Sequence, residues 1–87
     1  MLGRTAGSAA EARALRDAWR AFAREEREGS RADEARVRAV EAGADAWRKG
    51  KDEKDRAEAQ REGREYLARA DALQPDRVRA ALRTLAP

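Results

Sequence analysis

Ala12, Leu15, Trp19 and Phe22 follow one another at spacings of 3, 4 and 3, and Val37, Val40, Ala44 and Trp47 repeat that rhythm. Only an α-helix brings residues at these intervals to one side, so the spacing commits the chain to amphipathic helices. No stretch alternates apolar and polar residues as a half-buried strand does. The punctuation agrees with the rhythm. Ser8 and Glu11 stand in the relation of a capping box ahead of the first stripe, and Ser30 with Asp33 repeats it ahead of the second. Gly29 fits a C-terminal cap between the two, and Gly50 fits another. Gly43 interrupts the second stripe at a cost of ~1 kcal/mol relative to alanine, but Trp47 prolongs the stripe and carries the helix through it.

Residues 51–60 are nearly all charged, and beyond them Ala59, Gly63, Tyr66, Ala70 and Leu73 gather on one helix face with Leu67 at its edge. Pro75 suits the first turn of a fourth helix bearing Val78, Ala81, Leu82 and Leu85, with Asp76 near the positive end of its dipole. The expected fold is all-α: a small bundle of three to four helices over approximately 8–28, 31–49, 53–73 and 76–85, with short connections that favour antiparallel neighbours. Residues 1–7 read as a flexible leader and 8–87 as a single helical domain.

Twenty-two of the 87 residues are Ala, whereas Leu, Val, Trp, Phe, Tyr and Met together number 14. A chain of this size leaves a large share of its surface in water, so the core is thin and association offsets what it lacks. Trp19 falls at the centre of the first stripe and Trp47 near the end of the second, which makes Trp19 the expected core residue and Trp47 the expected rim residue.

The chain has no Cys and no His, so thiolate chemistry and the commonest general base and metal ligand are absent. Ser8, Ser30, Thr5 and Thr84 are explained as caps or end residues, and the carboxylates of Glu25-Glu26 and Asp52-Glu53-Asp55 are interspersed with Arg and Lys as on solvated faces. The expectation is a non-enzyme without cofactor or metal. No apolar run approaches the ~20 residues that span a bilayer, and a cytoplasmic location with no membrane partner is the default.

Residues 44–75 are similar to a tetratricopeptide repeat at Trp47, Leu67 and Ala70, counted back from Pro75, but Gly50, Lys51, Lys54 and Gly63 stand where that family has Leu, Gly, an aromatic residue and Ala. There is no second copy at the repeat's period. Residues 41–45 resemble the end of an ankyrin repeat's second helix, without that family's opening motif. Neither resemblance assigns the chain.

Two sets of residues remain as candidates for function. Trp19, Phe22, Trp47 and Tyr66 hold nearly all the aromatic surface, and aromatic residues with Arg dominate protein interfaces. Arg13, Arg16, Arg20, Arg24 and Arg27 line one side of the first helix, where a row of cations can track phosphates. Glu11, Asp17 and Glu28 lie within ion-pairing reach of the same row. The expected function is a non-catalytic helical protein–protein interaction module, self-associating or docking on a protein partner through an apolar helix face. The alternative is a nucleic-acid-binding small protein using the arginine row. An engineered helical bundle is a third reading, suited by the missing Ile, Asn, His and Cys but opposed by Gly43, Gly63 and the scarcity of Leu.

Overall fold

A computed structural model describes residues 7–86, so all but Gly7 of the expected leader lies outside the described residues. Four helices follow in order: α1 (Ala9–Glu26), α2 (Gly29–Gly50), α3 (Glu53–Leu67) and α4 (Pro75–Arg83). Among the described residues there is no strand. The chain is the small all-α bundle its spacing predicts, with differences at the helix ends.

Ser8 caps α1: its hydroxyl accepts from the Glu11 amide at 3.1 Å and donates to the Glu11 carboxylate at 3.2 Å. The helix ends at Glu26, where Arg27 takes a positive φ of 62° and Arg36 donates to its carbonyl. Gly29 is therefore not the cap of α1; at φ 91° it opens α2. The second capping box does not form, because Ser30 lies inside α2 and the N-cap, Glu28, makes no side-chain capping bond.

Asp33 is instead buried and works at long range. It accepts the Tyr66 hydroxyl at 2.7 Å, the Leu73 amide at 3.0 Å and Gln74 Nε2 at 3.3 Å, while the Gln74 amide donates to the Tyr66 oxygen at 2.9 Å. This network accounts for the early end of α3. The chain leaves the helix after Leu67 and folds back over the start of α2, so Ala70 and Leu73 drop out of the expected stripe and Leu73 is left 63% exposed. Burial raises the Tyr66 pKa and keeps the hydroxyl a donor.

α2 is the centre of the bundle, touching α1, α3 and α4, and it carries two apolar stripes. Val37, Val40 and Ala44 join Ala59, Tyr66, Val78, Ala81 and Leu85 in one core cluster supplied by α2, α3, α4 and the residues just after α4. Ala32, Ala35, Ala39, Ala42 and Ala46 form a second stripe at spacings of 3, 4, 3 and 4, all buried, and α1 is the helix left to cover it. Alanine on one side lets two backbones approach closely, as at Gly50, where an added Cβ would lie 2.9 Å from that of Ala9. α2 does pass through Gly43, whose position is in ordinary contact with Ala59. Gly63 is the stricter glycine: a Cβ there would sit 2.6 Å from the Leu82 side chain of α4.

Candidate interaction surface

α1 and α3 both lie on α2 but do not pack on each other, and charged side chains cross the space between them. Arg13 donates to Asp55 from Nε at 2.8 Å, and Arg16 reaches the other oxygen of that carboxylate from Nη1 at 3.1 Å. Arg20 holds Glu62 at 2.8 Å through Nε and Glu58 at 3.2 Å through Nη2. Asp55 is 4% exposed and Arg16 8%, so the centre of this clasp is cut off from water. Its hydrogen bond from Arg13, helped by Arg16, holds the Asp55 carboxyl below the usual carboxylate range even though burial opposes this. Glu62, by its hydrogen bond, raises the Arg20 pKa in the same way.

The arginine row expected on α1 is thus divided. Arg13, Arg16 and Arg20 turn to α3 as structural ions, leaving Arg24 and Arg27 exposed at the C-terminal end. A second ionic joint ties α4 to α2: Arg77 binds Glu41 at 2.6 Å and Glu34 at 2.9 Å, and Glu34 also accepts from Arg38 and Gln74. Chiefly through the Arg38 bond, and then those from Gln74 and Arg77, the Glu34 pKa falls to about 2.

The four aromatic candidates are also divided. Tyr66 is 3% exposed with its hydroxyl engaged, so it belongs to the core rather than to a contact surface. Trp47 is partly buried against the core cluster and its ring is flanked by Lys51 Nζ at 5.0 Å and Arg56 Cζ at 5.6 Å. Trp19 and Phe22 meet edge to face at 6.1 Å, with Arg38 4.9 Å over the Trp19 ring, and neither joins that cluster. The expected assignment of centre and rim is therefore reversed: Trp47 adjoins the core and Trp19 lies outside it. The reason is α2's alanine stripe, which gives α1 its own seam away from the valines.

What this leaves on α1 is a broad apolar flank. Leu15, Trp19 and Phe22 are only partly buried, and beside them Ala14, Ala18 and Ala21 are exposed at spacings of 4 and 3. The alanines were not singled out by the sequence reading, although a face of α1 without charge at these positions was visible in it. On the helix's other flank, above the floor of α2, lies a cleft of about 290 Å³ lined by residues of α1, α2, α3 and the turn after α3. Among the described residues no group of three or more acidic side chains is placed to hold a metal ion, and no helix is long and apolar enough to cross a membrane.

Fold and surface together define a small helical bundle with an internal ionic clasp and an incompletely covered first helix. Compared with protein-family models, curated proteins and solved structures, the chain matches none.

Proposed function

We propose that the protein is a non-catalytic helical interaction module that associates with a second copy of itself through the outer flank of α1. The observation that carries this reading is that the large apolar side chains of α1 stay outside the core cluster and adjoin the exposed Ala14, Ala18 and Ala21. An apolar helix flank that its own chain leaves only partly covered is one that a second helix can cover. Small residues bordered by Leu15 and Phe22 suit a second helix at close range, as α2's buried alanines suit α1, and Arg38 stands at the rim beside Trp19. A face that offers both ridge and groove is compatible with a two-fold, self-complementary contact. A cytoplasmic setting belongs to the same proposal.

Dilution of the uniformly ¹⁵N-labelled chain tests it. Amide shifts that move with concentration are expected along residues 14–22 and to vanish in Phe22→Gln; shifts that stay fixed at every concentration count against the reading. The nucleic-acid alternative draws no support from Arg13, Arg16 and Arg20, whose charge is matched by α3. It rests on Arg24 and Arg27, too few for strong phosphate tracking, and saturable binding of labelled DNA or RNA at ~50 mM salt is the result that would favour it.

A further inference from the structure

The cleft on the inner flank of α1 is a different surface with different chemistry. At its bottom lie Ala39, Val40 and Tyr66, nearly closed over, with Ala23 on one wall. Around them stand Arg20, Arg24, Arg36 and Arg69 against Glu62 and Glu65.

The charges are not equivalent. Arg20 is matched by Glu62, Arg36 donates to the Arg27 carbonyl, and Arg69 holds both oxygens of Asp71 at 2.9 and 3.1 Å. Arg24 makes no hydrogen bond or ion pair with any described residue and is exposed, so its five N–H donors remain available at the cleft. The arginines lining the cleft can present their methylene stems as apolar sides while their heads reach water. The cleft therefore combines an apolar floor with an excess of positive charge among its lining residues, four arginines against two glutamates.

The geometry points to this cleft as a binding site for a narrow amphipathic monocarboxylate, its carboxylate on Arg24 with Arg36 or Arg69 and its apolar body on the floor toward Ala39 and Val40. A guanidinium pairs with a carboxylate through two parallel hydrogen bonds, which fixes orientation as well as affinity. A dianionic phosphate group fits less well, since Glu62 and Glu65 also line the cleft and, of its arginines, Arg20, Arg36 and Arg69 are already engaged. The volume is that of a fragment-sized ligand, below most drug-sized sites. Two sources supply this chemistry: a free medium-chain acid, or the C-terminal carboxylate of a peptide ending in an apolar residue.

The test uses the full ¹⁵N-labelled chain titrated with sodium octanoate and, separately, with an acetylated pentapeptide ending in a free phenylalanine carboxylate. Octanol and the amidated peptide serve as neutral controls. Saturable shifts are expected at Ala23, Arg36, Ala39 and Arg69 with at least one carboxylate, weakened about tenfold in Arg24→Gln. Because Arg24 has no partner among the described residues, that variant is expected to keep the wild-type melting curve. Saturation by octanoate alone assigns the site to free acids, and by the peptide alone to chain ends; either supports the proposal. Three results overturn it: no saturable shift with either carboxylate up to ~10 mM, equal affinity for a neutral control, or an Arg24→Gln variant that binds as tightly as the parent. The outer flank of α1 takes no part, so failure here leaves the self-association reading standing.

Discussion

Replacing Asp55 by Asn removes the buried carboxylate that Arg13 and Arg16 share, and the structure sets how much that should cost. Breaking one side of a buried ion pair typically costs ~3–5 kcal/mol, because the remaining charge is stranded. Here the loss is smaller. Arg16 keeps Asp17 at 3.0 Å and Glu58 at 3.9 Å, while the Arg13 side chain, 35% exposed, turns to water with Asp52 still 3.9 Å away. The expected cost is about 2 kcal/mol, near that of one charge-assisted hydrogen bond. Against the roughly 4–13 kcal/mol that a chain of this length commands, that is a large fraction. At roughly 4–8 °C per kcal/mol, thermal unfolding followed by circular dichroism should move down by roughly 8–16 °C. Asp52→Asn is the control. Its side chain is 54% exposed, it sits at the long end of ion-pair distance, and asparagine can still cap α3 as Asp52 does for the Lys54 amide, so its effect should stay within about 0.5 kcal/mol. A clasp that carried no weight would give an Asp55→Asn melt indistinguishable from that of Asp52→Asn, and would refute the assignment of the arginines to the interior.

Two alanine substitutions should act in opposite directions: Gly43→Ala, with its new Cβ at 3.4 Å from Ala59, gains about 0.5–1 kcal/mol in urea unfolding, whereas Gly63→Ala, driven into Leu82, loses roughly 1–3 kcal/mol. The reverse order would contradict the α3–α4 packing. Trp47→Ala should cost about 3 kcal/mol and Trp19→Ala no more than about 2, since only Trp47 adjoins the core cluster; equal or inverted losses would place α1 in the core after all. Folded Glu34 and Asp55 hold their protons less tightly than ordinary carboxyls, so the unfolded chain binds more protons in acid. Their stabilisation should be complete above pH ~4.5 and drain away as the pH falls toward 2, less steeply in Glu34→Gln, and a flat urea-stability profile across that interval would contradict both carboxylate assignments.

The helices themselves were legible because their signals are local. The 3, 4, 3 rhythm gave α1 and α2, the Ser8–Glu11 box gave the start of α1, and Pro75 gave the start of α4. What escaped was set by residues far apart in the chain. Asp33 has the spacing of a capping residue from Ser30, and nothing near it reveals that Tyr66 and Gln74 will claim it and end α3 six residues early. Of the expected arginine row, Arg13, Arg16, Arg20 and Arg24 lie in α1 and Arg27 falls past its end, and the partners of the first three, Asp55, Glu58 and Glu62, are known only once α3 is laid along α2. One missed feature was present in the sequence: the alanines at 32, 35, 39, 42 and 46 keep helical spacing as strictly as the valines do. Alanine is so abundant here that its periodicity is easily read as background.

Sedimentation equilibrium across a loading series from about 1 µM to about 1 mM tests the central claim most directly, since that interval brackets weak and moderate self-association. The account predicts a rise from monomer toward dimer mass, with Phe22→Gln held at monomer over the same series and a circular dichroism spectrum unchanged from the parent. A single ideal monomer at every concentration for the parent chain, or a dimer that Phe22→Gln leaves intact, would contradict it.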